Sequence, residues 1–267
     1  MTCWITPPDV QQAACSAWSI RLLDTKAIAH TAPLIYLEEV DSTNNIAADL
    51  GRQGAVPFTV VMAERQTAGR GRHGRVWRTF PYQSLAMSIV IPAVDSTLPL
   101  VACLSLYQAC HDLGIQNIAL KWPNDLMFGS RKLAGVLTES YPLSNSTGRF
   151  YVLGCGINVN TPEDEDVPEV AGTLAMAVGR PLAREEVAKA FLVRLQKNCT
   201  TLEKHGFAPF LTEYQQACIT LGKPVVWKEG GREVSGIARD LNADGSILLE
   251  TPAGMHTCHS GEMIIEH

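Results

Sequence analysis

The apolar positions change period several times along the chain, and each change predicts an element. An extended apolar run at 34–37 gives way to Asp41-Ser42-Thr43-Asn44-Asn45, side chains that cap helices. Ile46, Ala47 and Leu50 then follow at helical spacing, and Gly51 and Gly54 end the pattern. The β-branched stretch 58–64, entered after Pro57, predicts a strand, and 84–91, closed by Pro92, predicts the next. Residues 98–114 are apolar on most sides and reach Gly114, the pattern of a buried helix. A short strand is expected at 118–122. The runs 132–140 and 149–160 are expected to pair as an antiparallel hairpin across a polar turn. Residues 163–169 form an acidic loop that should be solvated. Between 182 and 206, Val187, Phe191, Leu195, Cys199 and Leu202 recur on one helical face, Gly206 stops it, and a second helix follows near 207–217.

After Gly222 the texture becomes short alternating strands punctuated by Gly230-Gly231, Asp244-Gly245 and Ala253-Gly254. That is the pattern of a small all-β barrel, so the division expected is an extension at 1–33, a large unit at 34–220 and a barrel at 221–267. The large unit mixes strands and helices without regular βαβ alternation, which favours an α+β sheet over a Rossmann fold. Residues 1–33 lack the layout of a secretory signal, and Asp9 and Asp24 beside Arg21 and Lys26 fit a transit peptide poorly. A peripheral extension is the expectation.

Composition narrows the function classes. With 46% apolar and 18% charged residues among 267, the chain is expected to fold around a core, and no apolar run approaches the ~20 residues that span a bilayer. The formal net charge of −5 argues against a general nucleic-acid binder. Eight cysteines form no CxxC pair and no zinc-ligand spacing, so free buried thiols in a reducing, cytoplasmic setting are expected.

Against that acidic background, residues 65–78, RQTAGRGRHGRVWR, gather five arginines, one histidine and three glycines. Gly69, Gly71 and Gly74 permit close approach, and Arg70, Arg72 and Arg75 offer planar forks for phosphate or carboxylate. A solvated basic loop and an RNA-binding arginine–glycine segment are the alternatives; a Walker loop is excluded because GxxxxGK[ST] is missing. In LKWPNDLMF (120–128), a strand end presents Asn124 and Asp125 after Lys121, either a nucleotide or metal corner or an ordinary Asx turn. In SRKLAGVL (130–137), Lys132 can serve as a point charge on phosphate, and Gly135 inside a strand marks close approach. GCGINVN (154–160) adds two glycines and Asn158.

In this order, DSTNN, AGRGRHGRVW, KWPNDL, RKLAGVL and GINVN, with the terminal barrel, resemble the biotin protein ligases over residues 34 to 267. The resemblance implies a mixed sheet with flanking helices, related to class II aminoacyl-tRNA synthetases, followed by an SH3-like barrel. It implies formation of biotinyl-5′-AMP from biotin and ATP with Mg2+, then transfer to a lysine of a biotin carboxyl carrier domain of a carboxylase. Lipoate or octanoate ligases share the fold and are the nearest rival, although their arginine–glycine loop and WPND corner differ. By the same resemblance, Ser42, Thr43, Asn44, Gln66 and Gly69 lie at the biotin head group. Arg70 and Arg72 hold carboxylate and phosphates, Arg75 and Trp77 serve the nucleotide, and Lys132 bridges carboxylate and α-phosphate. Gly135 lets the biotin chain lie on the sheet, Asn124 and Asn158 contact the adenylate, and Asp125 positions the acceptor lysine or a Mg2+. Arg72, Lys132 and Asp125 are thus the catalytic candidates. The stretch before residue 34 is too short for a helix-turn-helix domain and linker, so no operator DNA is expected; sheet-mediated homodimers occur in the family. Family members can carry a basic residue near the end of the barrel, where this chain has Glu266 and His267. His73 in the loop implies pH dependence near its ordinary pKa of about 6.5. The glycine-flanked loop is expected to order on ligand binding.

Overall fold

The computed structural model describes residues 23–92, 95–143, 147–161 and 171–266. Asp24 caps a short helix α1 (Thr25–Ala29), which leads into β1 (Leu34–Val40). Helix α2 (Thr43–Arg52) crosses over to β2 (Val60–Gln66), which lies parallel to β1. β3 (Ser84–Pro92), α3 (Leu98–Asp112), β4 (Ile118–Lys121), β5 (Asp125–Phe128), β6 (Arg131–Pro142) and β7 (Arg149–Asn158) follow. Together the strands form a seven-stranded sheet of order β1-β2-β3-β7-β6-β5-β4, antiparallel except for the first pair. α4 (Leu174–Val178), α5 (Arg184–His205) and α6 (Leu211–Ala217) complete this part.

The expected α+β sheet is therefore present, with local differences. The first strand runs on to Val40 because Glu39 pairs with Arg65 of β2 along the rim. The second begins at Val60, since Phe58 turns the chain with φ 62°. β5 was not anticipated: DLMF is too short to show a period, yet it pairs on both sides. The extension expected to be peripheral contributes α1, whose Ile28 is fully buried against the core. The acidic loop 163–169 lies outside the described residues.

β3 lies inside the sheet between β2 and the central strand β7, and its residues 84–91 are all buried. Leu85, Met87 and Ile89 join Leu153, Cys155 and Ile157 of β7 in the main core beneath α3 and α5. The opposite face is shared. Val61, Val90, Phe150 and Val152 pack against Ala47 and Ala48 of α2. Further along β7 the same face carries Gly154 and Gly156, and there helix α2 stops and the cavity begins. The six described cysteines beyond the extension are free and buried.

One ion pair is set inside this core. Arg184, at the start of α5, donates through both terminal nitrogens to Glu64 of β2 at 2.8 Å, the side chains being 4% and 1% exposed. Glu64 also accepts from the Tyr82 amide at 2.7 Å and from the Tyr36 hydroxyl, and Arg184 reaches the Ser84 carbonyl at 3.1 Å. Both Glu64 oxygens and both terminal nitrogens of Arg184 are hydrogen-bonded, which is the condition under which buried charge is tolerated.

The last five strands are β8 (Pro224–Glu229), β9 (Arg232–Leu241), β10 (Ile247–Thr251), β11 (Gly254–Cys258) and β12 (Glu262–Ile265), a separate antiparallel sheet of order β11-β10-β9-β8-β12. Gly230 and Gly231, at φ 57° and 78°, make the two-residue turn between β8 and β9. Trp122 ties this barrel to the sheet: its Nε1 donates to the Gly245 carbonyl and its amide to Thr220 Oγ1, both at 3.1 Å. Among the described residues, no helix is long and apolar enough to cross a membrane.

Replacing Arg184 with alanine leaves Glu64 charged and uncovered, so unfolding in urea should show a loss of about 3–5 kcal/mol. An unchanged midpoint would contradict that account.

Candidate active site

Three positions on β7 set out the floor. An added Cβ at Gly154 would lie 2.3 Å from Asn44 Oδ1, and one at Gly156 would lie 2.1 Å from the Trp77 indole. Glycine is required at both because another group already occupies the space. Two residues on, Asn158 Nδ2 reaches the Lys132 carbonyl at 3.4 Å. From Gly154 to Asn158 the floor runs about 13 Å at the rise of an extended strand. The pocket above it holds about 440 Å³.

At the Gly154 end, α2 presents its N-terminus: Ser42, Thr43 and Asn44 are all 4% exposed or less. The Thr43 amide and hydroxyl donate to Gln66 Oε1 at 2.9 and 3.1 Å, and Gln66 Nε2 donates to Thr79 Oγ1 at 3.2 Å. Ser88 Oγ, on the strand beneath, lies 2.5 Å from Asn44 Oδ1 and 2.7 Å from Thr43 Oγ1.

In the middle, Lys132 Nζ meets Asp125 Oδ1 at 2.6 Å and stands 5.6 Å from the Trp77 ring centroid, within cation–π range. An added Cβ at Gly135 would lie 2.8 Å from Lys132 Nζ, so this glycine makes room for the chain's own lysine. Asn124, at the cis Trp122–Pro123 corner, donates to the Val136 carbonyl and accepts from Arg72 Nη1, both at 2.9 Å.

The arginine loop is the roof. Gly71 N bonds the Arg75 carbonyl at 2.7 Å and Trp77 N bonds the Gly69 carbonyl at 2.9 Å, closing a small hairpin whose tip turns at His73 (φ 56°) and Gly74 (φ 73°). Each of its three candidate arginines has a protein partner. Arg70 forks onto Glu139 at 2.9–3.2 Å, Arg72 bonds Asn124, and Arg75 pairs with Glu262 of the barrel. Burial pulls the Arg72 guanidinium below its ordinary pKa, opposed by Asp125, Glu229 and Glu262. Hydrogen bonding from Arg75 holds the Glu262 carboxyl low.

Of the residues to which the resemblance gives a site role, all but one line this pocket: Ser42, Thr43, Asn44, Gln66, Arg70, Arg72, Arg75, Trp77, Asn124, Asp125, Lys132, Gly135 and Asn158. Gly69 does not line it. A Cβ there would sit 2.4 Å from the Trp77 carbonyl, so its place is to let the hairpin close. Two carboxylates went unnoticed. Glu139 shares a strand face with Gly135 and Leu137, so alternation from Gly135 could have found it. Glu262 stands in a different domain, and nothing local signals it.

Comparison with known proteins separates the readings. Residues 36–158 match the Biotin/lipoate A/B protein ligase family, and residues 220–265 match the Biotin protein ligase C terminal domain. The biotin–[acetyl-CoA-carboxylase] ligase of Paracoccus denitrificans is 30% identical, covering 85% of this chain and 98% of that protein. The chain belongs to the biotin protein ligase family. A biotin protein ligase of Aquifex aeolicus, solved with biotin and ATP, matches with a TM-score of 0.75 and 32% identity over 88% of this chain and 98% of that one. The bifunctional ligase/repressor BirA of Escherichia coli is 31% identical over 91% of this chain and 78% of its own length. The fold is accordingly that of biotin protein ligases, a mixed sheet with flanking helices and an SH3-like barrel.

Glu139 supplies a pH test of this geometry. Burial raises its pKa, but hydrogen bonds from Arg70 and Asn44 outweigh that and hold the folded-state value below the ordinary glutamate range. Its stabilisation is therefore present above that range and lost as pH falls through the folded-state value. The gap in Tm between wild type and Glu139→Gln should be full at neutral pH and close in acid. A gap that widens in acid would refute the assignment.

Proposed function

We propose that the chain activates biotin with ATP as biotinyl-5′-AMP and transfers the biotinyl group to a lysine of a biotin carboxyl carrier protein. The observation that carries this reading is that one pocket has polar buried groups at one end, Lys132 beneath an arginine roof at its middle, and Asn158 at the other end. In the first step a biotin carboxylate oxygen bonds the α-phosphorus while the bond to the β-phosphate bridging oxygen breaks and pyrophosphate leaves. Two anions must meet, so cations placed in advance lower the barrier most. In the second step the carrier amine bonds the acyl carbon, AMP leaves, and the amine loses its proton.

Ser42, Thr43 and Gln66 take the ureido ring, whose N–H and C=O groups suit their polar side chains, and Asn44, its amide engaged by Glu139 and Ser88, stands behind them. The biotin chain runs from that end toward Lys132, which exchanges Asp125 for the biotin carboxylate and the α-phosphate. Arg72 exchanges Asn124 for the phosphate and retains the adenylate. Arg70 and Arg75 give up Glu139 and Glu262 only in so far as substrate phosphates compete for them. Trp77 and Asn158 border the nucleotide. Asp125, once released from Lys132, can receive the incoming carrier lysine. Mg2+ brought with the nucleotide would offset phosphate charge; the pocket carboxylates Asp125 and Glu262 suit it, since Mg2+ is usually held by one or two carboxylates plus phosphates and water. Operator binding and a membrane role are not part of this reading, and a homodimer formed through the sheet is compatible with it.

The decisive assay is streptavidin blotting of a carrier domain after incubation with biotin and Mg-ATP; a blank blot, or labelling with lipoate instead, would sink the reading. Lys132→Ala should slow adenylate formation by roughly a hundredfold or more, the scale seen when one preorganised charge is removed. Arg72→Ala should instead let adenylate leak, seen as faster release in single turnover. Amide exchange at Gly71 and Trp77 should slow once biotin and ATP are bound, as the roof orders.

A further inference from the structure

The polar groups at the ureido end are linked in one circuit that begins and ends on the arginine loop. It runs from Arg70 to Glu139, on to Asn44 and Ser88, then to Thr43 and Gln66, and returns to Thr79. Asn44, Ser88 and Thr43 are 4% exposed or less, so each needs its partners inside the protein. Such a circuit can be satisfied with its protons running in either direction unless one member has no choice.

Glu139 is that member at one end; at the other, the Thr43 amide can only donate and holds Gln66 Oε1 at 2.9 Å. An ionised carboxylate accepts only. Asn44 must turn Nδ2 toward it, at 2.6 Å, which leaves Oδ1 facing Ser88. That oxygen also accepts only, so the one proton of Ser88 goes to it. Ser88 then has none to give Thr43, 2.7 Å away, and the Thr43 hydroxyl must donate, to Ser88 Oγ or to Gln66 Oε1. Either way its proton is used within the protein and a lone pair faces the pocket. Gln66, its Oε1 taken by Thr43, has only Nε2 hydrogens left to offer.

We propose that Glu139 is a positioning residue that fixes the direction of this circuit, so that Thr43 meets the ligand as an acceptor for a ring N–H with a donor from Gln66 beside it. This rests on the biotin reading above and names what in the ureido group is recognised: an N–H next to a C=O. Glu139 does not itself line the pocket; it acts through Asn44 and Ser88.

Exchanging the two side chains tests it. Glu139→Gln lets its amide face either way, and Asn44→Asp sets two carboxylates against each other. The double variant Asn44→Asp/Glu139→Gln restores an amide donating to a carboxylate, with an acceptor still facing Ser88. Each single change should raise the KM for biotin by about tenfold or more, one well-made hydrogen bond to a charged group; Asn44→Asp should leave the KM for ATP unchanged, whereas Glu139→Gln also frees Arg70 and should shift it by less than the KM for biotin. The double variant should recover to within about threefold of wild type, a strong non-additivity. Wild type should also reject the biotin analogue with a ring oxygen in place of the N–H that meets Thr43, and Glu139→Gln should reject it less. If the singles do not fold, calorimetry of the double variant decides alone: biotin affinity close to wild type supports the proposal, and a folded double variant that does not bind overturns it. Equal loss of biotin and ATP affinity in the singles, or unchanged discrimination against the analogue, would also overturn it. Wild type that binds no biotin at all would instead bring down the underlying reading.

Discussion

A sheet face can serve a helix or a ligand, and here one face serves both. The whole site depends on where β7 changes from large side chains to none. Phe150 and Val152 fill the space under α2, whereas Gly154 and Gly156 leave it to Asn44 and Trp77. Bulk and its absence alternate with the core-facing residues Leu153, Cys155 and Ile157, so the strand keeps its hydrophobic anchor while its other face is emptied. The helix N-terminus, the pocket and the roof are placed relative to that boundary. A methyl group at either glycine would meet an atom near 2 Å, closer than packed atoms come.

The barrel belongs to the same construction. Trp122 is buried in the main core, yet both its hydrogen bonds go to the barrel and to the segment leading into it. The corner that carries Asn124 and Asp125 is thus gripped from the far side, and Glu262 reaches back to Arg75 over the pocket. The tail's lack of a basic residue near Glu266 does not remove the barrel from the site, because it takes part through a carboxylate.

Much of this was legible in the sequence. Helical and strand periods found the major elements, since long segments with one buried face leave a clear trace: the face of α5 from Val187 to Leu202 is buried as its spacing requires. The motif stretches converge on one pocket. What was missed shares a cause. β5 and α4 are too short for a period to emerge, and α1 is five residues long. Glu139 sits in a strand read for its glycine and lysine, and Glu262 becomes a neighbour of Arg75 only through the docking of a second domain. Partners separated by 69 and 187 residues are set by topology, which local pattern does not encode.

The pairing of the roof arginines has one more consequence. Arg70 and Arg75 are each matched by a carboxylate, and Arg72 is half-buried against an amide, so part of the loop's charge is cancelled at a distance. Paired charges cast a field that dies away faster than that of a bare cationic stretch, and salt shortens it further. A passing polyanion therefore meets a weaker field than the bare loop would cast. Only a ligand that has already entered and can compete at contact range for those guanidinium groups gains from them. The same residues that would make a strong nucleic-acid arm in isolation become, with counter-ions built into the fold, a short-range detector of one small anion.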